Sequence, residues 1–204
     1  MRPEKGEAKV NEAVRERLLT AALELFVAKG YASTSVREIV AAAGVTKPVL
    51  YYYFGSKEGI YLELMTGTFA TFRELISNLS ASPGTARERI LHFATGVFDG
   101  FVEHIAVVRF MYAMFFGPSQ GAPSFPLEQG FEMKLEAVGG MVEEGVRSGE
   151  MRAVDVRDIT WAIVSCMNTV MEEQLCRTPS RIDREGLVRV LTLILDCTAQ
   201  GGSR

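Results

Sequence analysis

The sequence has few of the residues that build disulfide frameworks or metal centres. Its 204 residues include three cysteines and two histidines, which are Cys166, Cys176, Cys197, His92 and His104. An odd number of cysteines without a CxxC pair argues against a disulfide framework and favours a reducing, cytoplasmic location. Because these residues lack the spacing of a standard zinc site, we expect no metal site and no bound cofactor.

A long apolar run and a signal peptide are also missing. The longest apolar stretch, residues 105–116, is interrupted by Arg109 and is shorter than the roughly 18 residues that a membrane span needs. The N-terminus carries acidic residues and no apolar segment of the signal-peptide type. We therefore expect no membrane partner.

The motifs of common enzyme classes are absent as well. The chain contains no GxGxxG, P-loop or HExxH sequence. The adjacent acidic pairs, Glu143-Glu144 and Glu172-Glu173, point in different directions from a helix and do not face one site. These absences favour a protein that is not an enzyme.

What is present is a globular composition with an uneven distribution of charge. Apolar residues make up 48% of the chain and charged residues 23%. Residues 1–57 hold nine Lys or Arg and six Asp or Glu, a net charge of +3, whereas the remaining residues carry −6. A small basic segment attached to an acidic body can attract phosphates, because local charge governs that attraction.

Apolar periodicity, capping residues and helix breakers predict an all-α fold of about nine helices. Residues 1–10 are expected to be mobile, and Asn11 is predicted to cap the first helix, which ends at Gly30. The other helices are predicted at about 36–43, 47–54, 57–79, 86–102, 104–116, 124–148, 156–176 and 184–198. We expect an N-terminal domain at 11–56 and a helical bundle at 57–200.

Residues 35–57, which read SVREIVAAAGVTKPVLYYYFGSK, carry the strongest functional pattern. Ser35 and Glu38 form an S-x-x-E capping box, and Gly44 supplies a turn conformation that a Cβ would resist. Two short helices joined by a tight glycine turn are typical of a helix-turn-helix. The apolar anchors of this motif are Ile39, Val45, Leu50 and Phe54.

The residues that are not anchors define an outward face with three cations, no acid and two phenols. They are Arg37, Thr46, Lys47, Pro48, Val49, Tyr51, Tyr52 and Lys57. The N-termini of three helices lie beside them and attract phosphate. A lone cation on a helix is usually only a solvated charge, Arg37 could pair with a local acid, and Tyr51 could be a core tyrosine. The clustering favours contact with nucleic acid.

This segment resembles the DNA-binding head of the tetracycline-repressor (TetR) family. The shared features are the Gly44-Val45 turn, the Leu50–Phe54 stretch of the L-Y-x-x-F type and the S-K-E sequence at 56–58. Upstream residues that also fit the family are Ala21, Leu25, Phe26, Gly30, Thr34 and Ser35. The resemblance covers about residues 14–64.

The resemblance implies two kinds of DNA contact. Recognition-helix positions that point into the major groove are Lys47, Pro48, Val49 and Tyr52. Phosphate-contact positions, which set register rather than sequence, are Ser35, Thr46, Tyr51 and Lys57. Lys47 would donate to guanine and Val49 would touch a thymine methyl group. Arg37 matches a position that reaches a base or a phosphate. Tyr53 stands where the family often has histidine, and it is either a packing or a phosphate-contacting residue.

The resemblance also implies a ligand pocket in the helical body. Walls rich in methionine and aromatic residues suit a flat or greasy small molecule. The candidate lining residues are Phe93, Val97, Phe101, Phe110, Met111, Met114, Phe115, Trp161, Ser165 and Asn168. A plain hydrophobic core is the alternative for the apolar members. The polar residues Ser165, Asn168 and Glu172 could instead bond to the backbone or face solvent.

The last two long helices have broad apolar faces, which the resemblance assigns to a four-helix interface between two chains. The candidate interface residues are Ile159, Ile163, Val170, Leu187, Val190, Leu191 and Ile194. The alternative interpretation is that these apolar faces pack within a single chain.

The resemblance therefore implies a homodimeric, ligand-responsive transcriptional regulator, most often a repressor in this family. It would bind a palindromic operator in double-stranded DNA through a helix-turn-helix head at 11–56. A small hydrophobic inducer in the ligand-binding and dimerisation domain at 57–200 would release it. The alternative function is a helical small-molecule-binding protein with a vestigial DNA-binding head.

Overall fold

The structure, a computed structural model, describes residues 5–117, 121–153 and 155–199, with side chains from residue 11 onward. Nine α-helices make up most of this part of the chain, and its one β-type pairing is an isolated bridge between Met151 and Ala199. The prediction of an all-α fold is confirmed. The helices are α1 (Lys5–Lys29), α2 (Val36–Ala42), α3 (Lys47–Phe54), α4 (Lys57–Ser80), α5 (Ala86–Glu103), α6 (Ile105–Phe116), α7 (Gln129–Ser148), α8 (Val156–Cys176) and α9 (Arg184–Thr198).

Side-chain caps begin several of these helices where the sequence predicts them. Ser35 and Glu38 close the capping box at the start of α2, and a second box opens α5. The carboxylates of Asp155 and Asp183 accept hydrogen bonds from the first turns of α8 and α9. Local sequence therefore determines where these four helices start.

The first helix begins earlier than predicted. α1 starts at Lys5 rather than after Asn11, because residues 7–9 (Glu-Ala-Lys) are strong helix formers. The assignment of Asn11 as an N-cap is therefore wrong. Residues 1–4 of the segment that was expected to be mobile lie outside the described part of the chain.

The seventh helix begins later than predicted. α7 starts at Gln129 rather than at Ser124. Pro126 explains the difference, because a proline disfavours the helical conformation for the residue that precedes it. The expected loop before this helix includes residues 118–120, which lie outside the described residues.

The chain forms two compact units. Unit 1 comprises residues 1–69 and 106–126, and unit 2 comprises residues 70–105 and 127–204. The helix α4 contributes its first part to unit 1 and its last part to unit 2.

An aromatic cluster lies at the centre of unit 1. The ring of Phe26 in α1 stacks on Phe110 of α6, with centroids 5.6 Å apart. Tyr61 of α4 meets the Phe110 ring edge-on at 6.2 Å, and Tyr31 meets Tyr61 in the same way at 5.2 Å. Aromatic pairs in these arrangements are stabilising beyond the area they bury. The cluster joins α1, α4 and α6.

Unit 2 is a bundle in which α5 packs against α7, α8 and α9. Its core includes Phe93 of α5, Met141 of α7, Met167 of α8 and Leu191 of α9, all essentially inaccessible to solvent. None of the helices in the described ranges is by itself long and apolar enough to cross a membrane; only α5 and α6 counted together, with a bend between them, reach that length and composition.

Candidate nucleic-acid interface

The turn between α2 and α3 fixes the orientation of α3. Gly44 adopts φ +65°, a left-handed conformation that favours glycine. The Val45 N–H group donates to the Val40 carbonyl at 2.9 Å and so closes the turn. Ile39 of α2 and Leu50 of α3 are fully buried beneath it. These contacts hold one side of α3 against unit 1 and leave the other side outward.

The outward side of α3 carries the residues that the sequence places there. Lys47 and Pro48 are exposed in the first turn, and Val49 is partly buried. Tyr51 is 48% exposed and Tyr52 is 79% exposed. An exposed phenol ring next to an exposed cation offers both stacking and hydrogen-bonding capacity at one surface.

The N-terminus of α3 differs from those of the neighbouring helices. Ser35 Oγ accepts from the Glu38 N–H group at 3.3 Å and caps α2, and Ser56 Oγ accepts from the Gly59 N–H group at 3.0 Å and caps α4. The Thr46 side chain forms no such cap on α3, and it is exposed. Of the three helix N-termini expected to attract phosphate, α3 is therefore the one whose first turn has no side-chain cap.

The charge of this surface is positive because its acid is already paired. Arg37 and Lys47 are exposed, and neither forms an ion pair with any described side chain. Glu38 instead pairs with Lys29. Hydrogen bonds from Lys29 and Ser35 lower the pKa of Glu38 to about 2. The two free cations are therefore available to a polyanion.

Lys57 has a different environment from the one expected. Its Nζ donates to the carbonyl oxygens of Tyr31 and Thr34, each at 2.9 Å, and lies 4.1 Å from the centroid of the Tyr31 ring. Burial lowers the pKa of this ammonium group. Because two of its three donors are used, Lys57 ties the loop after α1 to the start of α4. Its expected position on the outward face is corrected accordingly.

A hydrogen bond between α1 and α3 is not evident from the sequence. The Tyr53 hydroxyl donates to Asn11 Oδ1 at 3.0 Å. Because α1 begins before Asn11, that amide is not needed as a cap. The one sequence signal for this contact is the tyrosine at 53, where the TetR family often has histidine.

The ten candidate pocket residues are divided between the two units. Unit 1 contains Phe110, Met111, Met114 and Phe115, and unit 2 contains Phe93, Val97, Phe101, Trp161, Ser165 and Asn168. Phe110 belongs to the aromatic cluster of unit 1, and Phe93 and Val97 belong to the core of unit 2. For these three residues, a hydrophobic core accounts for the apolar pattern.

Three of the pocket candidates lie at the surface. Phe115 is 48% exposed, Trp161 is 46% exposed, and Ser165 is exposed one turn after Trp161 on α8. The Trp161 ring meets Phe131 edge-on at 5.4 Å and otherwise faces outward. Their assignment as walls of an enclosed pocket is therefore corrected, because the apolar pattern of α6 and α8 continues onto the surface.

Asn168, which is partly buried, accepts a hydrogen bond from a buried lysine. Lys134, on the buried side of α7, donates from Nζ to Asn168 Oδ1 and lies 5.9 Å from the centroid of the Phe131 ring. Burial lowers the pKa of Lys134 to about 8, and the carboxylate of Glu172 opposes that shift. Unit 2 thus holds an ammonium group that is costly to keep charged.

The candidate dimer residues are mostly internal. Ile163, Val170, Leu187 and Leu191 are buried within unit 2, so their assignment to an interface is wrong. Ile159, Val190 and Ile194 are partly buried. The exposed residues of α8 and α9 form a different set, which includes Trp161, Ala162, Ser165, Thr169 and Leu193. The most apolar positions of both helices face the core of their own chain. The exposed set, called the outer stripe below, contains both apolar and polar side chains.

A helix-turn-helix with an exposed cationic and aromatic recognition helix, followed by a helical body, is the architecture of a DNA-binding regulator. The family model described as bacterial regulatory proteins, tetR family, matches residues 18–64. KstR2 of Rhodococcus jostii, an HTH-type transcriptional repressor, is 31% identical over 172 residues, which cover 74% of this chain and 78% of KstR2. The chain belongs to the TetR family, and the resemblance inferred from its head is confirmed.

Two further relatives agree with this assignment. FasR of Mycolicibacterium smegmatis, an HTH-type transcriptional activator, is 34% identical over 107 residues, which cover 50% of this chain and 48% of FasR. The crystal structure of PfmR, a TetR family transcriptional regulator from Thermus thermophilus, matches with a TM-score of 0.67 and 25% identity, covering 88% of this chain and 97% of PfmR. The protein is a DNA-binding transcriptional regulator with a helix-turn-helix head and a helical C-terminal domain.

Proposed function

We propose that this regulator represses transcription by binding a palindromic operator as a dimer. The observation that carries the proposal is the outward side of α3, where Lys47 and Tyr52 are exposed and the helix N-terminus has no side-chain cap. Lys47, Pro48, Val49 and Tyr52 read base edges, while Thr46 and Tyr51 contact phosphates. Arg37 adds a base or phosphate contact from α2, and Ser35 reaches a phosphate only by giving up part of its capping box.

The second chain is expected to cover the outer stripe of α8 and α9. Trp161 and Leu193 are large apolar side chains that are 46% and 65% exposed in the single chain. Small residues beside them, Ala162 and Ser165, allow a close approach of a facing helix. A two-fold dimer would present its two heads to half-sites that lie about one turn of DNA (34–36 Å) or more apart on a near-palindrome.

A small hydrophobic inducer is proposed to release the operator. Residues 11–56 form the DNA-binding head in this scheme, and residues 57–200 form the ligand-binding and dimerisation domain. Because α4 is one continuous helix that contributes to both compact units, a ligand that shifts α4 would also displace the part of α4 that belongs to unit 1. The differential affinity needed is about 1–3 kcal/mol, which corresponds to about 5–150-fold in operator binding.

The direct test is selection of bound duplexes from a randomised pool, followed by sequencing. We expect enrichment of an inverted repeat, because a two-fold dimer presents two identical heads. The selected duplex then reports release when cell extracts, fractionated by polarity, are added to the complex. We expect the releasing activity in the apolar fractions.

The alternative is a small-molecule-binding protein with a vestigial head. Exposed, unpaired Arg37 and Lys47 favour a head that still binds DNA. A folded dimer that enriches no sequence at low salt, with and without cell extract, would support the alternative and refute the repressor proposal. Enrichment only in the presence of extract would instead indicate a ligand-dependent DNA binder.

A further inference from the structure

Tyr53 is the tyrosine of α3 that points toward α1 rather than outward. It is partly buried, and its hydroxyl donates to Asn11 Oδ1 at 3.0 Å. Its ring also contacts Phe54, with centroids 6.2 Å apart. The hydroxyl end of Tyr53 is therefore bonded to α1, and its ring lies beside that of Phe54.

The preceding tyrosine, Tyr52, packs against the Tyr53 ring. The Tyr52 and Tyr53 rings meet edge-to-face, with centroids 5.1 Å apart and planes at 82°. This is the arrangement that the quadrupoles of aromatic rings favour. Tyr52 is otherwise 79% exposed. Without its neighbour, such a side chain would sample several rotamers and lose that freedom on binding.

Asn11 and the two tyrosines border one groove. A concave surface of about 430 Å³ lies between α1 and α3, and its lining includes Asn11, Val14, Pro48, Val49, Tyr52 and Tyr53. Pro48 and Val49 are residues proposed to read bases. The hydrogen bond between Tyr53 and Asn11 therefore joins two residues that line this groove, beside residues proposed to read bases.

We propose that Asn11 and Tyr53 are a positioning pair that orders the Tyr52 ring for DNA recognition. Asn11 restrains the Tyr53 hydroxyl, and Tyr53 restrains the Tyr52 ring. The Tyr52 side chain is therefore ordered before it contacts DNA. This inference rests on the proposed function, because it assumes that Tyr52 contacts the operator. Pre-organisation of this kind raises affinity by reducing the entropy lost on binding.

The test is a double-mutant cycle on operator affinity with the full-length protein and the selected duplex. Asn11→Ala, Tyr53→Phe and the double variant should each weaken binding by the same factor, about three- to tenfold, because each removes the same hydrogen bond. The salt dependence of binding should not change, since neither substitution removes a charged side chain. In a Tyr52→Ala background, Tyr53→Phe should have no further effect.

Tyr51→Phe is the matched control for the loss of a phenol on α3. Tyr51 is exposed and is proposed to contact phosphate directly, so its effect should add to that of Asn11→Ala. Additive effects of Asn11→Ala and Tyr53→Phe would overturn the proposal by making Tyr53 itself a DNA contact. A lower melting temperature with unchanged operator affinity would also overturn it.

A measurement without DNA separates this inference from the proposed function. In protein labelled with 3-fluorotyrosine, the Tyr52 resonance is assigned by its loss in Tyr52→Phe. We expect Asn11→Ala to move that resonance toward the position of free tyrosine, because the ring loses its order. An unchanged resonance would refute the positioning pair even if the wild-type protein binds its operator. If the resonance shifts but the protein binds no duplex, the repressor proposal is refuted, whereas the claim that Asn11 and Tyr53 order the Tyr52 ring still holds.

Discussion

The Lys57 ammonium group lies 2.9 Å from the carbonyl oxygen of Tyr31 and 4.1 Å from the centroid of its ring. One side chain at the start of α4 thus completes the loop that follows α1. The contact uses charge-assisted hydrogen bonds and a cation–π interaction within unit 1. A lysine that the TetR pattern places among the phosphate contacts has a structural role in the free protein.

Replacement of Lys57 is expected to lower stability. Lys57→Met removes the hydrogen bonds to Tyr31 and Thr34 and should reduce the free energy of unfolding by about 1–3 kcal/mol. Lys47→Met is the matched control, because Lys47 is exposed and unpaired among the described side chains, and its change should stay within about 0.5 kcal/mol. Urea unfolding of both variants measures the difference. Equal stability of the two variants would contradict the assigned role of Lys57.

The stability of the protein should depend on Lys134 at alkaline pH. Burial lowers the pKa of Lys134 to about 8, from 10.5 as the ordinary value. Between these two values the unfolded chain binds the proton and the folded chain releases it, so stability rises with pH. Relative to Lys134→Met, the wild-type protein should gain stability as the pH increases from 8 toward 10.5.

Urea unfolding of the wild-type protein and Lys134→Met at several pH values within that range measures this gain. The difference between the two proteins removes the contribution of all other titrating groups. Lys47→Met should show no such pH-dependent difference from the wild type, because Lys47 is exposed. A constant difference between wild type and Lys134→Met across the range would mean that Lys134 titrates normally.

Substitutions at two leucines of α9 should distinguish dimer formation from folding of the single chain. Leu193 is 65% exposed, whereas Leu191, two residues earlier, is fully buried. Leu193→Glu should weaken the dimer by about 30-fold or more, the effect of an interface residue worth about 2 kcal/mol. Leu191→Ala should lower the free energy of unfolding by about 2–5 kcal/mol because it leaves a cavity in the core.

Sedimentation equilibrium over a range of concentrations measures the dimer, and urea unfolding measures the fold. If Leu193→Glu sediments as the same dimer as the wild-type protein, the outer stripe of α8 and α9 is not the interface. Retained dimerisation together with normal folding would require another surface.

Local sequence was sufficient to predict most of the fold. Two local features determine the helix-turn-helix: the capping box of Ser35 and Glu38, and the glycine at position 44. Because both act within a few residues, the motif can be predicted from the sequence alone. The sequence predicts the start of α1 too late, because Asn11 resembles a cap although strong helix formers at residues 7–9 precede it.

Contacts between distant residues were not predictable in the same way. Asn11 and Tyr53 are 42 positions apart, and Lys57 is 26 positions from Tyr31. Periodicity indicates that a face is apolar but does not identify what covers it. The family resemblance therefore predicts an interface role for Ile163 and Leu191, whereas both residues lie in the core of their own chain.

The central claim is that a dimer reads two half-sites through the surface around Lys47. The most direct measurement is a titration of the selected duplex, and of the same duplex with one half-site scrambled, at about 50 mM and about 200 mM salt. The dimer should bind the intact site much more tightly than the scrambled one. Affinity for the intact site should fall by about 100-fold between the two salt concentrations, because two heads present up to four free cations, and Lys47→Ala should weaken binding by about 5–150-fold. Equal affinity for the intact and scrambled duplexes, or no effect of Lys47→Ala, would contradict the central claim.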